Sequence, residues 1–216
     1  SAVDMDTTGT KTVTVTSGSF SDSFQIEVLH GVSFIPCGDT EAEFLYENYE
    51  TDSWVSEGHR SADYSKGNDE KGIGAYFTYV FNAGSKLETA LISVSYRFRT
   101  TMEVSFDNVT FTPLLQTVAI DQTLFTNEYR LENELDGSGD KLDFGDNNGV
   151  IYVRFRSTST DNQGFGADVF SFGFYYTLED ESNPPELVGD PYAGMHEVSF
   201  DADTETEKKF LYDEFN

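Results

Sequence analysis

Along residues 150–156, Ile151, Val153 and Phe155 alternate with Tyr152, Arg154 and Arg156, so one face of the run is apolar and the other polar. Period two is the spacing of a β-strand, whose successive side chains point to opposite sides of a sheet. Runs rich in Thr, Val, Ser, Phe and Tyr recur over residues 11–16, 24–29, 75–81, 91–99, 102–106, 109–112 and 165–176, separated by Gly, Asn and Asp. No long stretch carries the 3.6-residue apolar period of a helix. Many antiparallel strands at this spacing predict an all-β, two-sheet β-sandwich.

Two turns constrain the pairing. Asp107 and Asn108 sit between alternating runs, where a two-residue hairpin needs residues that tolerate positive φ. The spacing predicts that 102–106 and 109–112 are antiparallel neighbours across that dipeptide. Asn148 and Gly149 give a similar signal ahead of residue 150.

Charge narrows the partners. The chain has 39 acidic and 13 basic residues, a formal net charge of −26. Such a surface repels nucleic acid and anionic membranes and suits high salt or divalent cations. Disorder is excluded, because 19 Phe and 12 Tyr are too many for a solvated acidic coil. The single Cys37 rules out an intrachain disulfide framework and reads as a half-buried thiol. No run of about 18 apolar residues predicts a membrane span. The chain starts at Ser1 with no charged-then-apolar leader and is expected to be a processed, secreted form acting outside the cell or at its surface.

An ungapped internal repeat organises the chain. Residues 196–216 restate residues 30–50 at a constant offset of 166, with identity at Val32/Val198, Ser33/Ser199, Phe34/Phe200, Thr40/Thr206, Glu41/Glu207, Phe44/Phe210, Leu45/Leu211 and Tyr46/Tyr212. A long-period repeat explains this better than chance. The expected organisation is an N-terminal extension with a strand over 1–17, a sandwich over 18–179, a linker rich in Pro and acidic residues over 180–195, and the start of a second copy or an assembly tail over 196–216.

Four segments together resemble the galactose-binding-like, or discoidin-like, modules of carbohydrate-active and surface proteins. They are the acidic loop from Tyr49 to Trp54, the long strand from Ala75 to Gly84, the hairpin from Val104 to Pro113 and the strand from Val150 to Arg156. The resemblance implies a jelly-roll sandwich and a structural calcium near the early loop, with Glu47, Asp52 and Glu179 at the matching places. The Arg-Phe-Arg strand, followed by Gly164 and Phe165, is more weakly similar to the last strands of CUB domains, which normally carry paired cysteines.

Catalytic motifs are absent: the three histidines form no metal-binding pair, and there is no nucleophile elbow or phosphate-binding glycine loop. The expectation is a module that is not an enzyme. For sugar recognition, which needs an aromatic platform beside hydrogen-bonding groups, Trp54, Arg60 and Tyr64 are the candidates. Asn108 opens the sole Asn-x-Ser/Thr sequon.

The leading expectation is an extracellular building block of a repeat protein, surface fibre or adhesin, joined head to tail to copies of itself or to adjacent modules. Val13 and Val15 at one end, with Val198, Phe200, Phe210 and Tyr212 at the other, would offer unpaired strands for assembly. The alternative is a calcium-stabilised carbohydrate-binding module that grips polysaccharide.

Overall fold

The computed structural model describes residues 8–49, 58–62, 74–117, 123–133, 142–145, 147–157, 166–182 and 184–189. Strands β1 (Gly9–Ser17) and β2 (Phe20–Val28) form an antiparallel ribbon of their own. Gly18 and Ser19 join them. Gly18 has φ 62°, the left-handed conformation a two-residue hairpin loop demands. Val13 stands opposite Phe24 and Val15 opposite Asp22, so the strand expected to be unpaired already has a partner on one edge. The boundary expected at residue 18 therefore falls inside a hairpin, and the sandwich begins at β3 (His30–Phe34).

Two five-stranded antiparallel sheets follow. The first runs β10 (Phe125–Arg130), β7 (Leu87–Arg97), β12 (Ala167–Leu178), β3, and β5 (Arg60–Ala62) pairs with the start of β12. The second runs β4 (Leu45–Tyr49), β6 (Tyr76–Asn82), β11 (Val150–Ser157), β8 (Thr100–Ser105), β9 (Thr112–Gln116). Helix α1 (Asp39–Phe44) carries the chain from β3 in one sheet to β4 in the other. The core is aromatic. Phe81 of β6 stacks on Phe174 of β12 with ring centroids 4.7 Å apart, and Phe172 packs against Tyr79, Phe81 and Phe155. Ile151, Val153 and Phe155 are buried on the inner face of β11, as their alternation requires.

The expected hairpin at Asp107 and Asn108 is present but wider. Strand β9 starts at Thr112, and Val104 pairs with Thr112, leaving 106–111 as a loop. The cause is the Asp107 side chain, whose Oδ1 accepts the amides of Val109 and Thr110 at 2.8 Å and takes them from the ladder. Asn108 lies there with φ 59°.

The segment 184–189 is docked on the sandwich. Val188 exchanges backbone hydrogen bonds with Asn82, at 2.7 and 3.0 Å, and Leu187 packs on the core. At its far end Gly189 lies so close to Glu43 and Phe44 that a Cβ would collide with their backbone. Among the described residues no helix is long and apolar enough to cross a membrane.

The first copy of the repeat spans β3, α1 and β4. Phe34, Glu41 and Phe44 are buried, and Val32 and Leu45 pack against the core. These positions recur identically in 196–216, as do the exposed Ser33, Thr40 and Tyr46, whereas the exposed Ile35 is replaced there by Asp201 and the buried Pro36 by Ala202.

Candidate binding face

The outer face of the first sheet is built in rows. In one, Ser33 of β3, Gly173 of β12, Ser93 of β7 and Glu128 of β10 are successive neighbours. In the next, Gly31, Tyr175, Leu91 and Arg130 line up, and in a third Ser171, Ser95 and Thr126. Small side chains thus occupy most of the outward positions in these rows on β3, β12 and β7, directly above a core of phenylalanines. Ser95 and Thr126 hydrogen-bond at 2.8 Å.

Tyr175 lies along this face. A Cβ on Gly173 would meet its ring at 2.7 Å and its hydroxyl at 2.9 Å, and a Cβ on Gly31 would meet its Cδ1 at 2.7 Å. Two glycines at adjacent positions let the ring lie close to the sheet, as a side chain at either would prevent. The result is an open cleft of about 310 Å³, lined by the hydroxyl residues Ser33, Ser93, Ser171 and Tyr175 with Ile35 at its edge. None of its lining residues is charged. Hydroxyls beside an aromatic and an aliphatic surface can accept and donate hydrogen bonds while packing on C–H groups.

The outer face of the second sheet is different. Glu103 accepts Nε and Nη2 of Arg154 on one carboxylate oxygen and Nε and Nη2 of Arg156 on the other, all within 2.7–3.0 Å. The Arg154 guanidinium lies 3.6 Å from the centre of the Phe111 ring. That face is closed by its own charges.

Arg60, expected to face a sugar, is instead committed to the interior. It is 8 % exposed, and its Nε and Nη2 donate to Glu41, itself 1 % exposed, at 2.6 and 2.7 Å. Tyr79 and the Cys37 amide also donate to Glu41. Burial alone would raise the Glu41 carboxyl, and these hydrogen bonds outweigh it and hold it below its ordinary value. The Tyr79 hydroxyl is pushed well up by burial and by that carboxylate. Cys37 is half-buried with its thiol on the His59 carbonyl, at 3.1 Å, and burial raises its pKa. A third buried carboxylate, Asp168, accepts from Ser61 and from Arg97, and burial raises its pKa from the ordinary value.

Two of the expected calcium ligands, Glu47 and Glu179, lie apart. Glu47 stands opposite Thr78 near the start of β6, whereas Glu179 follows β12 and pairs with Lys86 at 2.7 Å, past the other end of β6. Thr78 and Asn82 alone are about 13 Å apart along a strand. Among the described residues no group of three His, Cys, Asp or Glu side chains could hold a metal. Asp52, Trp54, Tyr64, Val198, Phe200, Phe210 and Tyr212 lie outside the described residues. Asn108 sits in the 106–111 loop beside the exposed Val109, with its amide 3.4 Å from the Tyr46 hydroxyl. Sequence reasoning missed the cleft, although the strands holding Ser93, Ser171, Gly173 and Tyr175 were legible. The signal was the parity of small residues along them.

No family model matches the sequence, and no curated protein matches it. Among solved structures, the chain is similar to a family 35 carbohydrate-binding module of Abf62 from Cellvibrio japonicus, at 12 % identity and a TM-score of 0.37, over 67 % of this chain and 92 % of that one. It is similar to a family 35 module from an environmental isolate at 13 % identity and a TM-score of 0.38, covering 68 % and 98 %. It is also similar to the second N-terminal cellulose-binding domain of β-1,4-glucanase C from Cellulomonas fimi, at 11 % identity and a TM-score of 0.37, covering 67 % and 91 %.

Proposed function

We propose that the chain is a non-catalytic module that binds a neutral polysaccharide, with the cleft over β3, β12 and β7 as the sugar site, in a protein acting outside the cell or at its surface. The observation that carries this is an uncharged, hydroxyl-lined cleft beside Tyr175 in a chain of net charge −26. An acidic surface would repel anionic glycans, which leaves neutral ones as the fitting class. The arginine pairing of Glu41, Glu103 and Asp168 supports the non-catalytic part, since each buried carboxylate is already held by a cation.

The test is binding to a panel of soluble neutral polysaccharides by isothermal titration. Ser93→Tyr, which fills the cleft from an outward position, should weaken binding at least about tenfold, the size of a lost central contact. Retained binding in that variant, with loss in Trp54→Ala, would move the site to the early loop and overturn the cleft assignment.

A second reading, one link in a repeat array or surface fibre, is favoured by the repeat: the tail restates the core residues Phe34, Glu41 and Phe44 of β3 and α1 along with neighbouring exposed ones. Val198, Phe200 and Phe210 then serve as the core positions of another module. Deleting 197–216 should abolish filaments seen by negative-stain electron microscopy while leaving thermal unfolding of the sandwich unchanged. Filaments that persist would exclude it.

A further inference from the structure

The β1–β2 ribbon is two-faced. Thr10, Thr12, Thr14 and Thr16 share one face with Ser21, Ser23, Gln25 and Glu27, and hydroxyl pairs cross it at Thr14–Ser23 and Thr16–Ser21. The other face carries Val13, Val15, Phe20, Phe24 and Ile26. Its outer half is bare: Val15 is 57 %, Phe20 81 % and Phe24 54 % exposed. A lone two-stranded ribbon is marginal in water and gains stability when its apolar face is covered.

We propose that this face docks against the same face of a second copy of the chain, in an antiparallel two-fold stack. The inference is independent of the sugar site. Two observations select a like copy. First, residues 8–29 hold only Lys11, Asp22 and Glu27, a net charge of 1 − 2 = −1 in a chain of −26, so this is a surface where two such chains can meet with little repulsion. A cationic partner would be drawn to the acidic remainder. Second, the face is self-complementary. Lys11 shares a level with Ile26, and Asp22 shares one with Val15, on either side of the central Val13–Phe24 pair. Antiparallel stacking about that pair sets each copy's Lys11 level against the other's Asp22 level, twice in one isologous interface.

The area sets the strength. Two nine-residue strands present a face of about 30 by 10 Å, or roughly 600 Å² over both copies. That is below the ~1,200 Å² of a stable specific interface, so the dimer is weak and concentration-dependent.

Sedimentation velocity of the full chain over a dilution series, at low and at high salt, tests this. Dimer should grow with concentration and with salt, because salt screens the repulsion between acidic copies. Phe20→Ser with Phe24→Ser should weaken it about tenfold or more without moving the melting temperature, since both rings lie outside the core. Lys11→Glu and Asp22→Lys should each weaken self-association, and mixing the two variants should restore it, which no contact within one chain can do. Dimer that resists the Phe substitutions, a mixture no stronger than its components, or a monomer at all concentrations and salts would each overturn the proposal.

Discussion

Glu41 on α1 receives the Arg60 guanidinium of β5 at 2.6 and 2.7 Å inside the sandwich, and this pair joins the helix between the sheets to the start of β12 through β5. Breaking one member of a buried pair strands the other charge. Arg60→Met should therefore lower stability by about 3 kcal/mol, read as a lower urea midpoint at unchanged slope. In the native protein, burial opposes and the Arg60, Tyr79 and Cys37 hydrogen bonds outweigh it, depressing the Glu41 carboxyl. Its contribution is full above the ordinary carboxylate value and is lost as pH falls through the depressed one. The deficit of Arg60→Met should shrink as pH falls toward the ordinary carboxylate range, because without Arg60 burial raises the stranded carboxyl and lets it take up a proton.

The position of Tyr175 depends on a missing side chain. Gly173→Ala would put a methyl 2.7 Å from the present ring position and must displace it. Polysaccharide binding should fall in Gly173→Ala and in Tyr175→Phe, the first through the ring and the second through its hydroxyl. Titration calorimetry reads both, and Tyr175→Phe should leave the melting temperature within about 2 °C.

Asn147 is the polar hub behind the turn into β11. Its Oδ1 accepts the amides of Leu87 and Gly149, and its Nδ2 donates to the carbonyls of Leu87 and Phe144. Asn147→Ala leaves those buried backbone groups without that partner and should cost about 3 kcal/mol in chemical denaturation. Asn147→Asp sets a carboxylate oxygen against the Leu87 and Phe144 carbonyls in a buried site and should cost at least as much at neutral pH.

Asp107 has its carboxyl lowered to about 2, first by the Thr110 and Val109 amides and then by Ser105. A depressed carboxyl contributes above its unfolded value and loses that contribution as pH falls through the folded one. The 106–111 loop should hold its conformation down to about pH 3 and loosen by about pH 2, visible in the amide shifts of Val109 and Thr110. Asp107→Ala should show the loosened shifts at neutral pH.

Strands buried on one face and wetted on the other could be read directly. The run at 150–156 became β11 because Ile151, Val153 and Phe155 face the core, and the runs at 75–81, 91–99 and 165–176 largely match β6, β7 and β12. Strands β3, β4, β5 and β10 were not legible. They are short, and each owes its place to pairing with a longer neighbour rather than to its own pattern. The widened hairpin escaped because the hydrogen bonds of one aspartate, not the propensity of the dipeptide, set the loop. Arg60 was misassigned because its partner, Glu41, is brought in by the fold. The cleft needed strand order, since Ser33, Gly173 and Ser93 come from three strands that only the register aligns.

The segment 184–189 and the first described residues lie at one end of the sandwich. His30 pairs with Glu181 at 2.8 Å, and Thr8 and Gly9 share a hollow with Glu181 and Pro184. The segments on either side of the sandwich are thus tied to it at that end by the His30–Glu181 pair and by the two backbone bonds between Val188 and Asn82, away from the row of Ser33, Gly173 and Ser93 that floors the cleft.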